Sequence, residues 1–150
     1  MVHHDAPLGR ASKRGLLMKD EEAALFANDV FYAAFKANDY DAMERLWAMS
    51  GIICVHPGWL PLYGREDVLE SWQAILGEQG APDVTCRAAK VSIFGGSAVV
   101  TCIEDLNGAY LCATNVFVKE AADWKMVHHH AGPVNLRPED LPDEPDIAVN

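Results

Sequence analysis

Long hydrophobic runs are missing from this sequence. No apolar stretch approaches the roughly 20 residues of a membrane-spanning helix, so no membrane partner is expected. Basic clusters are also scarce: 12 Lys and Arg face 22 Asp and Glu, for a formal net charge of −10. The densest basic piece (Arg10, Lys13, Arg14 and Lys19) is short, which argues against nucleic acid as a partner. The first residues carry basic side chains but no apolar signal core, so a cytoplasmic location is expected. Cys54, Cys86, Cys102 and Cys112 form no C-x-x-C pair. That excludes the usual zinc and disulfide patterns and leaves reduced, buried thiols as the simple reading. There is no phosphate-binding loop, dinucleotide glycine motif or Ser-His-Asp arrangement. No cofactor and no metal is therefore expected.

What is present fits one domain: 150 residues, half of them hydrophobic. Residues 1–18 lack a period and read as a flexible arm. Residues 19–133 read as the folded domain. Residues 134–150, with Pro138, Pro142 and Pro145 among acidic side chains, read as a disordered acidic tail. Asp20-Glu21-Glu22 is expected to open a first helix running to about Lys36. Its apolar stripe would be Phe26, Val30, Ala33 and Ala34, widened by Leu25, Phe31 and Phe35. A short helix over 40–48 and a strand over 51–56 follow, and Pro57-Gly58 closes the strand as a turn. A third helix should run from Gly64 to Leu76. Four strands are predicted over 84–94, 98–106, 109–119 and 123–131. Asn107-Gly108 between two of them is a strong hairpin signal. Helices first and a meander second predict an α+β fold, with three N-terminal helices packed on a curved antiparallel sheet.

The closing strand carries three of the six histidines. Strand side chains alternate faces, so His128 and His130 should share a face with Met126 and Trp124, with His129 opposite. If the hairpin closes on Ala121-Ala122, Asn115 faces His128 and Phe117 faces Met126. Asn115, His128 and His130 would then form a polar patch in a mostly apolar cavity. His128 and His130 with His56 could also make a zinc geometry, but no carboxylate ligand motif supports it. An imidazole titrates near neutrality, so His56 and His130 are the candidate acid/base groups. Each of these histidines also has a plain structural reading, as a buried polar group hydrogen-bonded inside the core.

Four segments carry a family resemblance. They are Phe31-Tyr32-Ala33-Ala34-Phe35-Lys36-Ala37-Asn38-Asp39 with Met43-Glu44-Arg45-Leu46-Trp47; Val55-His56-Pro57-Gly58 with Gly64-Arg65-Glu66-Asp67-Val68; Thr114-Asn115-Val116-Phe117; and Asp123-Trp124-Lys125-Met126-Val127-His128-His129-His130. Together they resemble the SnoaL-like group of the NTF2-like superfamily. The last segment is also similar to the closing strand of the calmodulin-dependent kinase association domain. The resemblance implies a cone-shaped fold with a cavity at its wide end, and pairing of two copies through the outer sheet face. Trp59 and Tyr63 would lie near the cavity mouth. Val55-His56-Pro57 is similar to the Glu-Asp-Pro of ketosteroid isomerases, where the Asp is the general base. The position of their helix tyrosine matches Phe31, with Tyr32 about 100° around the helix.

Two functions follow as expectations. The first is a small-molecule-binding protein with an apolar pocket lined by His and Asn. It would take an apolar or carboxylate-bearing molecule and could serve as a cofactor-free isomerase, dehydratase or cyclase. His56 and His130 would be its acid/base groups, and Trp59, Tyr63, Asn115 and His128 its ligand-binding residues. The second is a non-catalytic homodimeric binding or assembly module.

Overall fold

The computed structural model describes residues 8–77 and 82–141, with side chains from Asp20 onward. Most of the expected acidic tail lies outside the described residues, as do residues 1–7 of the expected arm. Helix α1 spans Leu8–Ala37. It begins well before Asp20, so the acidic trio lies within the helix and does not start it. Pro7 directly precedes this start in the sequence, a residue type common at helix openings. The helix stops at Asn38, whose φ of 55° is left-handed. Asp39 then caps α2 (Tyr40–Leu46) by accepting from the Ala42 N–H at 3.1 Å.

The buried face of α1 is Ala24, Ala27, Asn28, Phe31, Tyr32 and Ala34. This is a helical stripe, but it differs from the expected one. Phe26 is 68% exposed, and Ala33 also faces outward. The stripe that packs includes two polar residues, which a reading by apolar spacing passes over.

β1 (Ile53–Val55), β2 (Leu62–Tyr63) and α3 (Arg65–Gly77) follow. The meander is β3 (Thr85–Phe94), β4 (Ser97–Leu106), β5 (Ala109–Glu120) and β6 (Asp123–Pro133). All six strands form one sheet in the order β2-β1-β6-β5-β4-β3. The meander is antiparallel as expected, but β1 pairs with β6 in parallel, so the sheet is mixed. Trp47, Trp72, Phe31, Phe117, Met43, Ile52 and Met126 fill the space between helices and sheet. Among the described residues, no helix is long and apolar enough to cross a membrane.

One irregularity decides which histidine is inside. Phe117 pairs with Met126 as expected, yet Val116 pairs with His128 and Asn115 with His129. Val127 is an extra residue on β6, a β-bulge. Past it, alternation resumes one residue out of phase. Trp124 and Met126 point inward, and so do His129 and Ala131. The expectation that His128 and His130 share the inner face with Met126 is therefore corrected. His129 is the interior imidazole, and Asn115 sits opposite it.

Candidate functional site

Four elements deliver polar side chains to one place inside the cone. β6 contributes His129 through its bulge. β5 contributes Asn115, from the inward parity of Ala113 and Phe117. β4 contributes Glu104, from the inward parity of Ala98, Val100 and Cys102. α1 contributes Tyr32 and Asn28. All five are buried, Glu104 to 2% exposure.

Their hydrogen bonds have a direction. Asn115 Nδ2 donates to Asn28 Oδ1 at 2.8 Å and to Tyr32 Oη at 3.2 Å. Asn115 Oδ1 is left as the acceptor for His129 Nδ1 at 2.6 Å, so the Nδ1 of His129 carries the proton. Tyr32 Oη donates to Glu104 Oε2 at 2.7 Å. His129 Nε2, the bare nitrogen, faces the same Oε2 at 3.9 Å. Three hydrogen bonds and this 3.9 Å contact thus arrange His129, Asn115, Tyr32 and Glu104 in a ring. Two thiols adjoin it: Cys102 Sγ lies 3.2 Å from Tyr32 Oη, and Asn28 Nδ2 lies 3.6 Å from Cys86 Sγ.

Burial drives the electrostatics. It pushes His129 down to about 3, helped by His56, His128 and His130. It pushes Glu104 above the usual carboxylate range, while the Tyr32 hydrogen bond pulls the other way. Burial and the Glu104 charge push Tyr32 well above its usual value. The ring therefore favours a neutral imidazole with a free Nε2 lone pair, beside a carboxyl group that burial shifts toward its protonated form.

His56 belongs to an adjoining layer. Ser71 donates to Val68 O at 2.6 Å, so its oxygen must accept from His56 Nε2 at 2.9 Å. His56 is thus the Nε2–H tautomer, with Cys54 Sγ at 3.6 Å. Burial lowers it to about 4 and raises the Cys54 thiol to about 12. Trp59 lies on its ring with centroids 4.8 Å apart, and Trp72 contacts it at 4.9 Å. Trp72 in turn meets His129 at 5.9 Å. An aromatic stack thus runs from Trp59, 49% exposed, to the ring.

The expected site residues divide between the two faces of the sheet and its edge. His56 and Asn115 are inside, and Trp59 covers His56. Tyr63 is exposed on the edge strand β2. His128 is half-buried and His130 exposed on the outer face, with ring centroids 6.1 Å apart. His130 pairs with Thr114 and Val55 and does not meet His56. Cys112 is exposed, against the expectation of buried thiols. Among the described residues, no three His, Cys, Asp or Glu side chains gather as a metal site. Sequence reasoning missed Glu104, Tyr32 and His129. The parity of Glu104 with Val100 and Cys102 was an available signal, whereas the bulge that turns His129 inward left none.

An α+β cone with a polar ring in its interior is the class of domain that these features define. The family model of the SnoaL-like domain matches residues 25–135, and the chain belongs to that family. A structure from Streptomyces avermitilis, provisionally described as a dehydratase of the NTF2-like family, is 34% identical with a TM-score of 0.71. That match covers 79% of this chain and 98% of the other. A structure from Thiobacillus denitrificans, provisionally described as a calcium/calmodulin-dependent protein kinase type II association domain, is 33% identical with a TM-score of 0.64. It covers 73% of this chain and 93% of that one. The F-box protein SKIP8 of Arabidopsis thaliana is 30% identical over 112 residues, covering 73% of this chain and 48% of the relative. The chain thus spans about half the length of that curated relative.

Proposed function

We propose that this domain binds a small, largely apolar molecule in the cone and moves a proton on it without a cofactor. Glu104 is the acid, the Nε2 of His129 is the base, and Tyr32 and Asn115 hold both in place. One observation carries this reading: two buried ionisable groups 3.9 Å apart are pushed in opposite directions, the carboxyl toward its acid form and the imidazole toward its base form. Paired groups whose environments push their proton affinities apart mark acid and base assignments, and such perturbations cluster at functional sites. Trp59, packed on His56, is the side chain that a ligand would displace to reach the ring. In this reading His56 is a wall and His130 has no part in the chemistry. The provisional dehydratase description of the Streptomyces relative agrees with proton transfer on a carbonyl or hydroxyl compound.

The test is deuterium uptake from D2O by a panel of small apolar ketones with acidic α-protons. Wild type should speed exchange for at least one member, and Glu104→Gln and His129→Gln should abolish the effect. Exchange at the buffer rate across the panel, or full exchange in both variants, would overturn the proposal.

A second reading is an assembly module of two or more copies. The half-exposed outer sheet face around His128, Val116 and Val118 and the likeness to the Thiobacillus association domain favour it. Light scattering of wild type and Val116→Lys tests it: the variant should fall to a smaller mass if that face joins copies, and an unchanged mass excludes that face.

A further inference from the structure

A cavity of about 420 Å³ opens away from the ring, between α1, α2 and the hairpin that joins β5 to β6. Phe26 and Val30 of α1, Leu46 of α2 and Trp124 of β6 supply apolar wall. None of the ring residues lines it. Phe26 is 68% exposed, an unfavourable place for a phenylalanine, and it stands on the wall of a groove of ordinary ligand size.

The charge at this groove runs against the rest of the molecule. The chain carries a net charge of −10, yet Arg45 and Lys125 both line the groove. Lys119 lies 6.0 Å over the Trp124 ring. Lys119 is paired with Asp20 at 3.0 Å, and Lys125 Nζ donates to Arg45 O at 2.8 Å. Asp123 is the acidic residue of the lining. Arg45 has an exposed side chain and makes no ion pair among the described residues.

We infer that this groove is a second binding site, for a medium-chain carboxylate. The acyl chain lies along Phe26, Val30 and Leu46. The carboxylate pairs with the Arg45 guanidinium, a fork that matches carboxylate geometry. The acyl chain packs against the Trp124 ring, which lines the same wall. The site is separate from the acid/base ring and does not depend on it.

The experiment is a titration of the full chain with sodium decanoate below its micelle concentration, followed by 1H–15N NMR, with decanol as the uncharged control. The Trp124 indole and the amides of residues 122–125 should shift. Arg45→Ala should weaken decanoate at least tenfold and leave decanol unchanged. Phe26→Asp, at an exposed position, should lose both ligands while circular dichroism stays unaltered. Three results would overturn the inference. One is the absence of shifts at Trp124. Another is equal decanoate affinity in Arg45→Ala. The third is shifts confined to Asn115 and His129, which would put the carboxylate in the ring. A changed mass for Phe26→Asp with decanoate binding intact would also overturn it and make the groove an interface between copies.

Discussion

Tyr32 on α1 donates a 2.7 Å hydrogen bond to Glu104 on β4, both of them buried. This bond ties the first helix to the sheet and stabilises a carboxyl group that has left water. Removing the hydroxyl leaves Glu104 without that donor and Asn115 without one of its acceptors. Tyr32→Phe should therefore destabilise the fold by about 1–3 kcal/mol in urea unfolding. It should also raise the Glu104 pKa further, since this bond is what holds it down. An unchanged unfolding midpoint would contradict the ring.

Stability should fall on the acid side for a definite reason. His56 and His129 are lowered from 6.5 to about 4 and about 3. Between those values the unfolded chain binds protons that the folded chain refuses. Their contribution is whole above the unfolded value and drains as the pH falls toward the folded ones, at about 1.4 kcal/mol per pH unit for each group. Glu104 has the opposite sign. Its raised pKa gives a contribution that is full below 4.5 and lost as the pH rises through the folded value. Urea unfolding across this pH range should show the acid slope in wild type and a shallower one in His129→Gln.

Glu104→Gln follows from the same sign. Glutamine keeps an acceptor for Tyr32, removes the carboxyl that burial disfavours, and can offer an N–H toward His129 Nε2. The variant should unfold at the same temperature as wild type or higher, while losing the proposed deuterium exchange. Calorimetry beside the exchange assay checks both halves.

Arg65 holds the second helix to the third. Its guanidinium donates to the carbonyls of Trp47, Ala48 and Glu44 at 3.0, 3.1 and 3.2 Å. These lie at or just past the α2 C-terminus, where carbonyls lack helical partners. Arg65→Met keeps the aliphatic stem and removes the donors. A loss of roughly 1.5–3 kcal/mol is expected, measured by urea unfolding.

Trp59 shields His56. Trp59→Ala should rehydrate the imidazole and move its pKa up from about 4 toward 6.5, read by NMR titration of the ring protons. A pKa that stays put would mean that Trp72 and Ser71 alone keep water away.

Much of this architecture was legible in the sequence. The helix order, the Asn107-Gly108 hairpin and the Phe117–Met126 register all follow from local chemistry. The interior polar site was only half legible. The sequence points to Asn115, but strict alternation gives it His128 as partner, because a bulge at Val127 changes parity without changing residue type. Valine suits a bulged position and a regular one alike, so composition holds no trace of the slip. Phe26 misled for a different reason. Apolar spacing marks a helix face but does not say which of two overlapping stripes packs, and α1 chose the one carrying Asn28 and Tyr32. Their polarity hid them, although the hydrogen-bonding ring is what makes their burial affordable.

The most direct test is an NMR titration of the Glu104 carboxyl carbon and the His129 ring nitrogens in one sample. The account predicts a Glu104 pKa above 4.5, with His129 neutral and protonated on Nδ1 from neutral pH down to about pH 4. A carboxyl that titrates at or below 4.5, or an imidazole that becomes charged near 6.5, would contradict it.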